Sequence, residues 1–111
     1  MIRLSKSCLS DDEATAVDGV LSREYLGMGA EVEQFESALG AFFNRPVVCV
    51  VNGTAALHLA LQACGIGLDD EVLVPSLTYV ASFQAIRATG ARPVACDVVP
   101  ETLTLDWQDM E

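Results

Sequence analysis

Val47-Val48-Cys49-Val50-Val51-Asn52-Gly53-Thr54-Ala55-Ala56-Leu57-His58-Leu59-Ala60-Leu61 is the stretch whose reading decides the architecture. Its first five residues are an unbroken apolar run, four of them β-branched valines, which is the composition of a strand buried on both faces. Asn52-Gly53 breaks the run. The Ala- and Leu-rich residues 54–64 that follow are expected to be helical, with Gly65 and Gly67 ending the helix.

Working outward, residues 71–75 read as a second short strand, 79–89 as a second helix of this region and 93–98 as a third strand. Strands alternating with helices across short connections predict an α/β domain with parallel strands. Residues 106–111 look like the first turn of a further helix with no length in which to pack, so the chain reads as truncated. Upstream, Ser10-Asp11-Asp12-Glu13 is a capping box that opens a helix running to about Leu21. Tyr25-Leu26-Gly27-Met28-Gly29 is a loop. Val32, Phe35, Leu39 and Phe42 recur at helical spacing among Glu31, Glu33 and Glu36, an amphipathic helix closed near Asn44 and Pro46. The expected organisation is an N-terminal helical segment, 1–46, and an incomplete α/β domain, 47–111. In elements this is βαβαβ preceded by two helices.

Composition narrows the class. The 111 residues suit one domain or part of one, and 51% are hydrophobic, enough for a core. A net charge of −10 with only six scattered Lys and Arg argues against nucleic acid, whose phosphates need cations. No stretch approaches the ~20 apolar residues of a membrane span. Met1 to Lys6 carries no signal-peptide core, because Asp11, Asp12 and Glu13 follow soon after. A cytoplasmic protein is expected. Cys8, Cys49, Cys64 and Cys96 form no Cys-x-x-Cys pair, and the last three sit in apolar runs; buried free thiols are expected rather than disulfides or zinc ligands.

The candidate site is the turn Asn52-Gly53-Thr54-Ala55-Ala56. Strand ends in open α/β sheets face the ligand crevice. A helix beginning there presents unpaired N–H groups and the positive end of its dipole, which suits a phosphate. Gly53 lets a ligand come close, and Thr54 adds a hydroxyl. An ordinary tight turn with Thr54 merely capping the helix fits the residues equally well. Dinucleotide and P-loop glycine patterns are missing, since Gly65-Ile66-Gly67 follows a helix and Gly27-Met28-Gly29 lacks a third glycine.

The segment Val51 to Leu61 resembles the phosphate-loop segment of the DegT-type sugar-nucleotide aminotransferases. Three other stretches match the same family in the expected order. They are Tyr25 to Gly29 with Val32 and Phe35-Glu36; Gly67 to Val72 leading to Pro75-Ser76-Leu77-Thr78-Tyr79-Val80; and Gly90 to Val94 with Asp97 and Pro100 to Leu103. The resemblance covers almost the whole chain but only about the first third of a family member. It implies the N-terminal part of the large domain of a fold type I enzyme dependent on pyridoxal 5'-phosphate (PLP), homodimeric at full length. The activity implied is transfer of an amino group from glutamate to a nucleotide-linked keto-sugar, in polysaccharide or antibiotic sugar synthesis.

Carried over by position, Thr54 and Ala55 match the residues whose amides hold the PLP phosphate, Gly53 shapes the turn, and Tyr79 matches the aromatic that stacks on the pyridine ring. No catalytic residue is expected within the chain, because the family's cofactor-bonding lysine and pyridine-nitrogen acid both lie further along. Lys6, the sole lysine, matches neither; Asp97 reads as a strand-end or turn residue. His58 reads as structural, beside Leu57 and Leu61, and Asp69-Asp70-Glu71 as a solvated turn. The isolated chain is therefore expected to be inactive. A PLP-dependent sugar dehydratase of the same family, or a non-catalytic remnant or interaction module, remains the alternative.

Overall fold

The computed structural model describes residues 5–110. Two compact units emerge, one ending at Cys49 and the other starting at Val50.

The N-terminal unit holds helices α1 (Asp11–Ser22) and α2 (Ala30–Phe43). Ser10 caps α1 as the sequence indicates: its hydroxyl accepts the Asp12 N–H at 3.3 Å, and the Glu13 carboxylate accepts the Ser10 N–H at 2.6 Å. Asn44 ends α2 in the left-handed region, with φ 50 and ψ 44, a conformation its short polar side chain tolerates. The stripe predicted on α2 lies on one helix but is unevenly covered. Val32 and Leu39 are half-buried, whereas Phe35 and Phe42 are exposed.

In the second unit, helix α3 (Gly53–Ala63) is followed by β1 (Glu71–Pro75), α4 (Ala81–Ala88) and β2 (Arg92–Cys96). β1 and β2 pair in parallel, Glu71 opposite Arg92 and Pro75 opposite Cys96, with α4 as the crossover. The Arg92 guanidinium and Glu71 carboxylate meet across that first register pair. Val74, Ile86 and Ala91 form the core, and Leu61, Ile66, Val72 and Phe83 pack against it. Gly65, at φ +79, turns the chain away from the C-terminus of α3, a backbone angle that costs a residue with a Cβ. The fold class is α/β, as expected.

Several expectations need correction. Residues 47–51 form no strand: Val48 and Val51 are 75% and 88% exposed, and no described segment pairs with them. Val47 and Cys49 are half-buried while Val48 and Val50 are exposed, so the run keeps a strand's alternation without its ladder. A strand exists through hydrogen bonds to a neighbour, which composition does not supply. The described sheet is accordingly βαβ and not βαβαβ. The second helix of the region starts at Ala81, two residues later than predicted, and the third strand ends at Cys96. Past it, an isolated antiparallel bridge joins Val98 to Leu105, and Trp107–Met110 is a 3-10 turn in place of an α-helical one. All four cysteines are free, but only Cys96 is buried; Cys64, at the C-cap of α3, is exposed. No described helix is long and apolar enough to cross a membrane.

Two measurements test this description. The amides of Val48 and Val50 lack acceptors among the described residues, whereas that of Cys49 donates to the Glu36 carboxylate at 2.6 Å. Hydrogen exchange should therefore protect Cys49 above both neighbours; equal rates along 47–51 would contradict the unpaired geometry. The hydrogen bonds from Ser10 hold the Glu13 carboxyl below its ordinary range. A depressed folded pKa means the stabilisation of α1 is present above the unfolded value and is lost as pH falls through the folded one. Ser10→Ala, which removes the hydroxyl and keeps the backbone N–H, should weaken that pH dependence, read as a rise in the Glu13 carboxyl pKa by NMR titration.

Candidate functional site

The site is built where extended chain turns into α3. Asn52 is the N-cap, with φ −167 and ψ 172, and its Oδ1 accepts the Ala55 N–H at 2.9 Å. Its backbone carbonyl accepts the Ala56 N–H at 3.1 Å, the first bond of the helix ladder. Every helix begins with N–H groups that the ladder cannot satisfy. Here Asn52 takes the one at Ala55, while those of Gly53 and Thr54 find no protein acceptor among the described residues. Two free donors therefore stand at the positive end of an 11-residue helix.

An open cleft of about 680 Å³ lies beside them. Gly53, Thr54, Leu57 and Ala60 of α3 form one side, and Tyr79, Ala81 and Ser82 at the start of α4 form the other. Tyr79 is 78% exposed, so its ring is available to a ligand instead of being spent in the core. Its backbone is held by the chain, the Tyr79 carbonyl accepting the Ser82 N–H at 3.0 Å. The Thr78 and Ser82 hydroxyls, 3.2 Å apart, tie the loop to the first turn of α4. At the loop's other end the Ser76 N–H donates to the Cys96 carbonyl at 2.7 Å, continuing the β1–β2 pairing by one bond. A small sheet thus anchors the loop that carries the aromatic ring. A further depression, in the N-terminal unit, is lined by Ala16, Val17, Val20, Leu21 and Glu31; its one charged group is paired with Arg23, which leaves it little chemistry.

Of the residues singled out from sequence, Gly53, Thr54 and Tyr79 line one cleft. Ala55 does not, and its N–H is engaged by Asn52. His58 is half-buried outside the cleft lining, with its Nε2 buried and unpartnered. Asp97 lies just past β2, where its Oδ1 accepts the Val98 N–H at 2.8 Å in a turn. Lys6 is exposed in the N-terminal unit. Asp70 does more than meet solvent, since its Oδ2 accepts the Gly67 N–H at 2.8 Å. The turn read as the candidate site contains Asn52 but gives it no role, and Ser82 lies outside that turn. The signal for Asn52 was present, because asparagine is a preferred N-cap and it directly precedes Gly-Thr; Ser82 carried none.

The donor set suits a phosphate ester carrying a flat ring. Two amides and the Thr54 hydroxyl offer hydrogen bonds to anionic oxygens, and the Tyr79 ring offers a stacking face. No side chain of the cleft lining carries a formal charge, so the attraction for an anion comes from the helix end.

Known proteins bear on this geometry. Residues 7–111 match the model of the DegT/DnrJ/EryC1/StrS aminotransferase family. The chain is 39% identical to a dTDP-4-dehydro-2,3,6-trideoxy-D-glucose 4-aminotransferase of Saccharopolyspora spinosa, over 96% of this chain and 29% of that protein. It is 45% identical to an L-glutamine:2-deoxy-scyllo-inosose aminotransferase of Streptomyces paromomycinus, over 82% of this chain and 23% of that protein. Among solved structures, the PLP form of a protein from Streptococcus pneumoniae, assigned as a sugar aminotransferase, superposes with a TM-score of 0.86 at 32% identity. That match covers 98% of this chain and 28% of the other. The chain thus spans about a quarter of the length of the relatives it matches.

Gly53 sits in helical backbone at the start of α3, and a Cβ built there meets nothing within 4 Å. The protein itself leaves that space open. Gly53→Ala should therefore raise the stability of the ligand-free protein by about 0.5–1 kcal/mol. Chemical denaturation measures it; a loss of stability would mean that the glycine serves the fold and not a ligand.

Proposed function

The chain belongs to the DegT/DnrJ/EryC1/StrS aminotransferase family, and on that premise we propose that the whole protein uses PLP to transfer an amino group from glutamate to a nucleotide-linked keto-sugar. The observation that carries the proposal is the pair of free amides at Gly53 and Thr54 beside the exposed ring of Tyr79 in one cleft. The dTDP-linked sugar named for the Saccharopolyspora spinosa relative supports the acceptor class, and the PLP-bound neighbour supports the cofactor.

When bound, the cofactor supplies a carbonyl that carries the amino group and a ring that takes up electrons. The residues of this chain bind and orient it. The Gly53 and Thr54 N–H groups and the Thr54 hydroxyl hold the phosphate, and the dipole of α3 favours its charge. Ala55 lies outside the cleft lining, and its N–H is taken by Asn52 Oδ1, so it supports the turn and not the phosphate. The exposed Tyr79 ring would pack against the cofactor's ring and exclude water from it. The proton-transfer groups belong to the rest of the protein on this reading, as does the second subunit of a homodimer.

A second acceptor class has its own support. The relative from Streptomyces paromomycinus is named for glutamine and a keto-cyclitol, with no nucleotide. Both readings keep the same phosphate site and differ in donor and acceptor.

Assay of the full-length protein with PLP separates them. Turnover of a dTDP-linked 4-keto-sugar with glutamate supports the first reading; turnover only of 2-deoxy-scyllo-inosose with glutamine replaces it with the second. The cofactor site is tested independently by titrating pyridoxamine phosphate (PMP), which binds without a covalent link. Tyr79→Ala should weaken PMP roughly tenfold, the equivalent of ~1.4 kcal/mol of lost stacking and burial. Unchanged PMP affinity would remove Tyr79 from the site.

A further inference from the structure

We infer that Ser82 is a positioning residue of the cleft: it clamps the loop that carries Tyr79 to α4 and so sets where the aromatic ring meets a ligand. The inference rests on the proposed reading of the cleft as a cofactor site, and it concerns how the ring is held. Two bonds converge on Ser82 from the loop. Its N–H donates to the Tyr79 carbonyl at 3.0 Å, and its hydroxyl lies 3.2 Å from the hydroxyl of Thr78. Thr78 and Ser82 are four residues apart, one helical turn, and Tyr79 lies between them. The N-cap of α4 is Val80, whose side chain cannot cap, so the Thr78–Ser82 pair is the side-chain bond that closes this turn.

Ser82 is itself fixed from the other side. α4 buries Ala81, Ala85 and Ile86, and Ile86 belongs to the core with Val74 and Ala91. Support therefore runs from the core through α4 to Ser82, and from Ser82 to the backbone that bears Tyr79. The ring is joined to that backbone through two torsions with few favoured values, so fixing the backbone confines the ring to a few places. A group held in advance loses less freedom when a ligand arrives, which lets a bond that does not touch the ligand contribute to affinity. The helix does not ask for this hydroxyl, since alanine is a better helix former than serine. Ser82 also lines the cleft, so the competing role is a direct hydrogen bond to the ligand. The two roles differ in whether they need the ring of Tyr79.

Titration of PMP into the full-length protein separates them. The forms compared are wild type, Ser82→Ala, Ser82→Thr, Thr78→Val and Tyr79→Ala, with Ser82→Ala also placed in the Tyr79→Ala background. Ser82→Ala should keep the thermal midpoint of the ligand-free protein. It should weaken PMP about fivefold, the factor equivalent to one net hydrogen bond and the most the clamp can contribute. Thr78→Val should give the same loss from the other end of the bond, and Ser82→Thr, which keeps the hydroxyl, should restore wild-type affinity. With Tyr79 already replaced by alanine, Ser82→Ala should change PMP affinity by less than about twofold, because no ring is left to position. An equal loss with and without the ring makes Ser82 a direct ligand contact and overturns the inference. So does a loss that Ser82→Thr fails to restore, or an affinity of Ser82→Ala equal to that of wild type. If Tyr79→Ala alone leaves PMP affinity unchanged, the cofactor reading of the cleft fails, a result distinct from failure of the Ser82 variants.

Discussion

A helix cannot satisfy its own first N–H groups, and in this protein the way that debt is met at the start of α3 governs the site. The Asn52 side chain takes the Ala55 N–H and its carbonyl opens the ladder at Ala56. What remains are the Gly53 and Thr54 N–H groups, which find no protein acceptor among the described residues. α1 shows the contrasting solution. There the serine hydroxyl and a glutamate close the capping box reciprocally, and three acidic residues fill the first turn. An anion has no reason to approach α1 and good reason to approach α3. The same physical requirement yields a closed end in one helix and a receptive end in the other.

Hydrogen-bond pairing likewise decides which parts of the second unit are rigid. β1 and β2 hold each other through a full five-residue register, and the Ser76–Cys96 bond extends that support to the loop bearing Tyr79. Residues 47–51 have equal or better strand composition and no partner among the described residues, so Val48, Val50 and Val51 stay exposed. Tyr79 is thus carried on an anchored loop, whereas residues 47–51 pair with no described segment.

Most of what was legible came from local rules. The capping box at Ser10, the close of α2 at Asn44, the glycine exit at Gly65 and the Asn-Gly-Thr opening of α3 all depend on residues within one turn of each other. Short-range chemistry is readable in order along the chain. Family resemblance supplied Tyr79, which no local pattern marks as more than a helix-start residue. Asn52 stands in the candidate turn, but its part there is to take up the Ala55 N–H, which counting the turn's donors does not reveal.

By itself the sequence determined the helix ends, the α/β alternation and the place of the candidate turn at Asn52 to Ala56, since each follows from side-chain and backbone preferences inside a few residues. That Gly53 and Thr54, and not Ala55, keep uncommitted amides among the described residues came from the structure. Only the tertiary structure decided that β1 pairs with β2 and that 47–51 pairs with nothing described. It alone brought Tyr79 across from Gly53 and left Phe42 and Cys64 uncovered. The reason is physical. Burial, strand pairing and the walls of a cleft are properties of two segments distant along the chain, and a single segment's composition states what it needs from a partner without saying whether that partner is there.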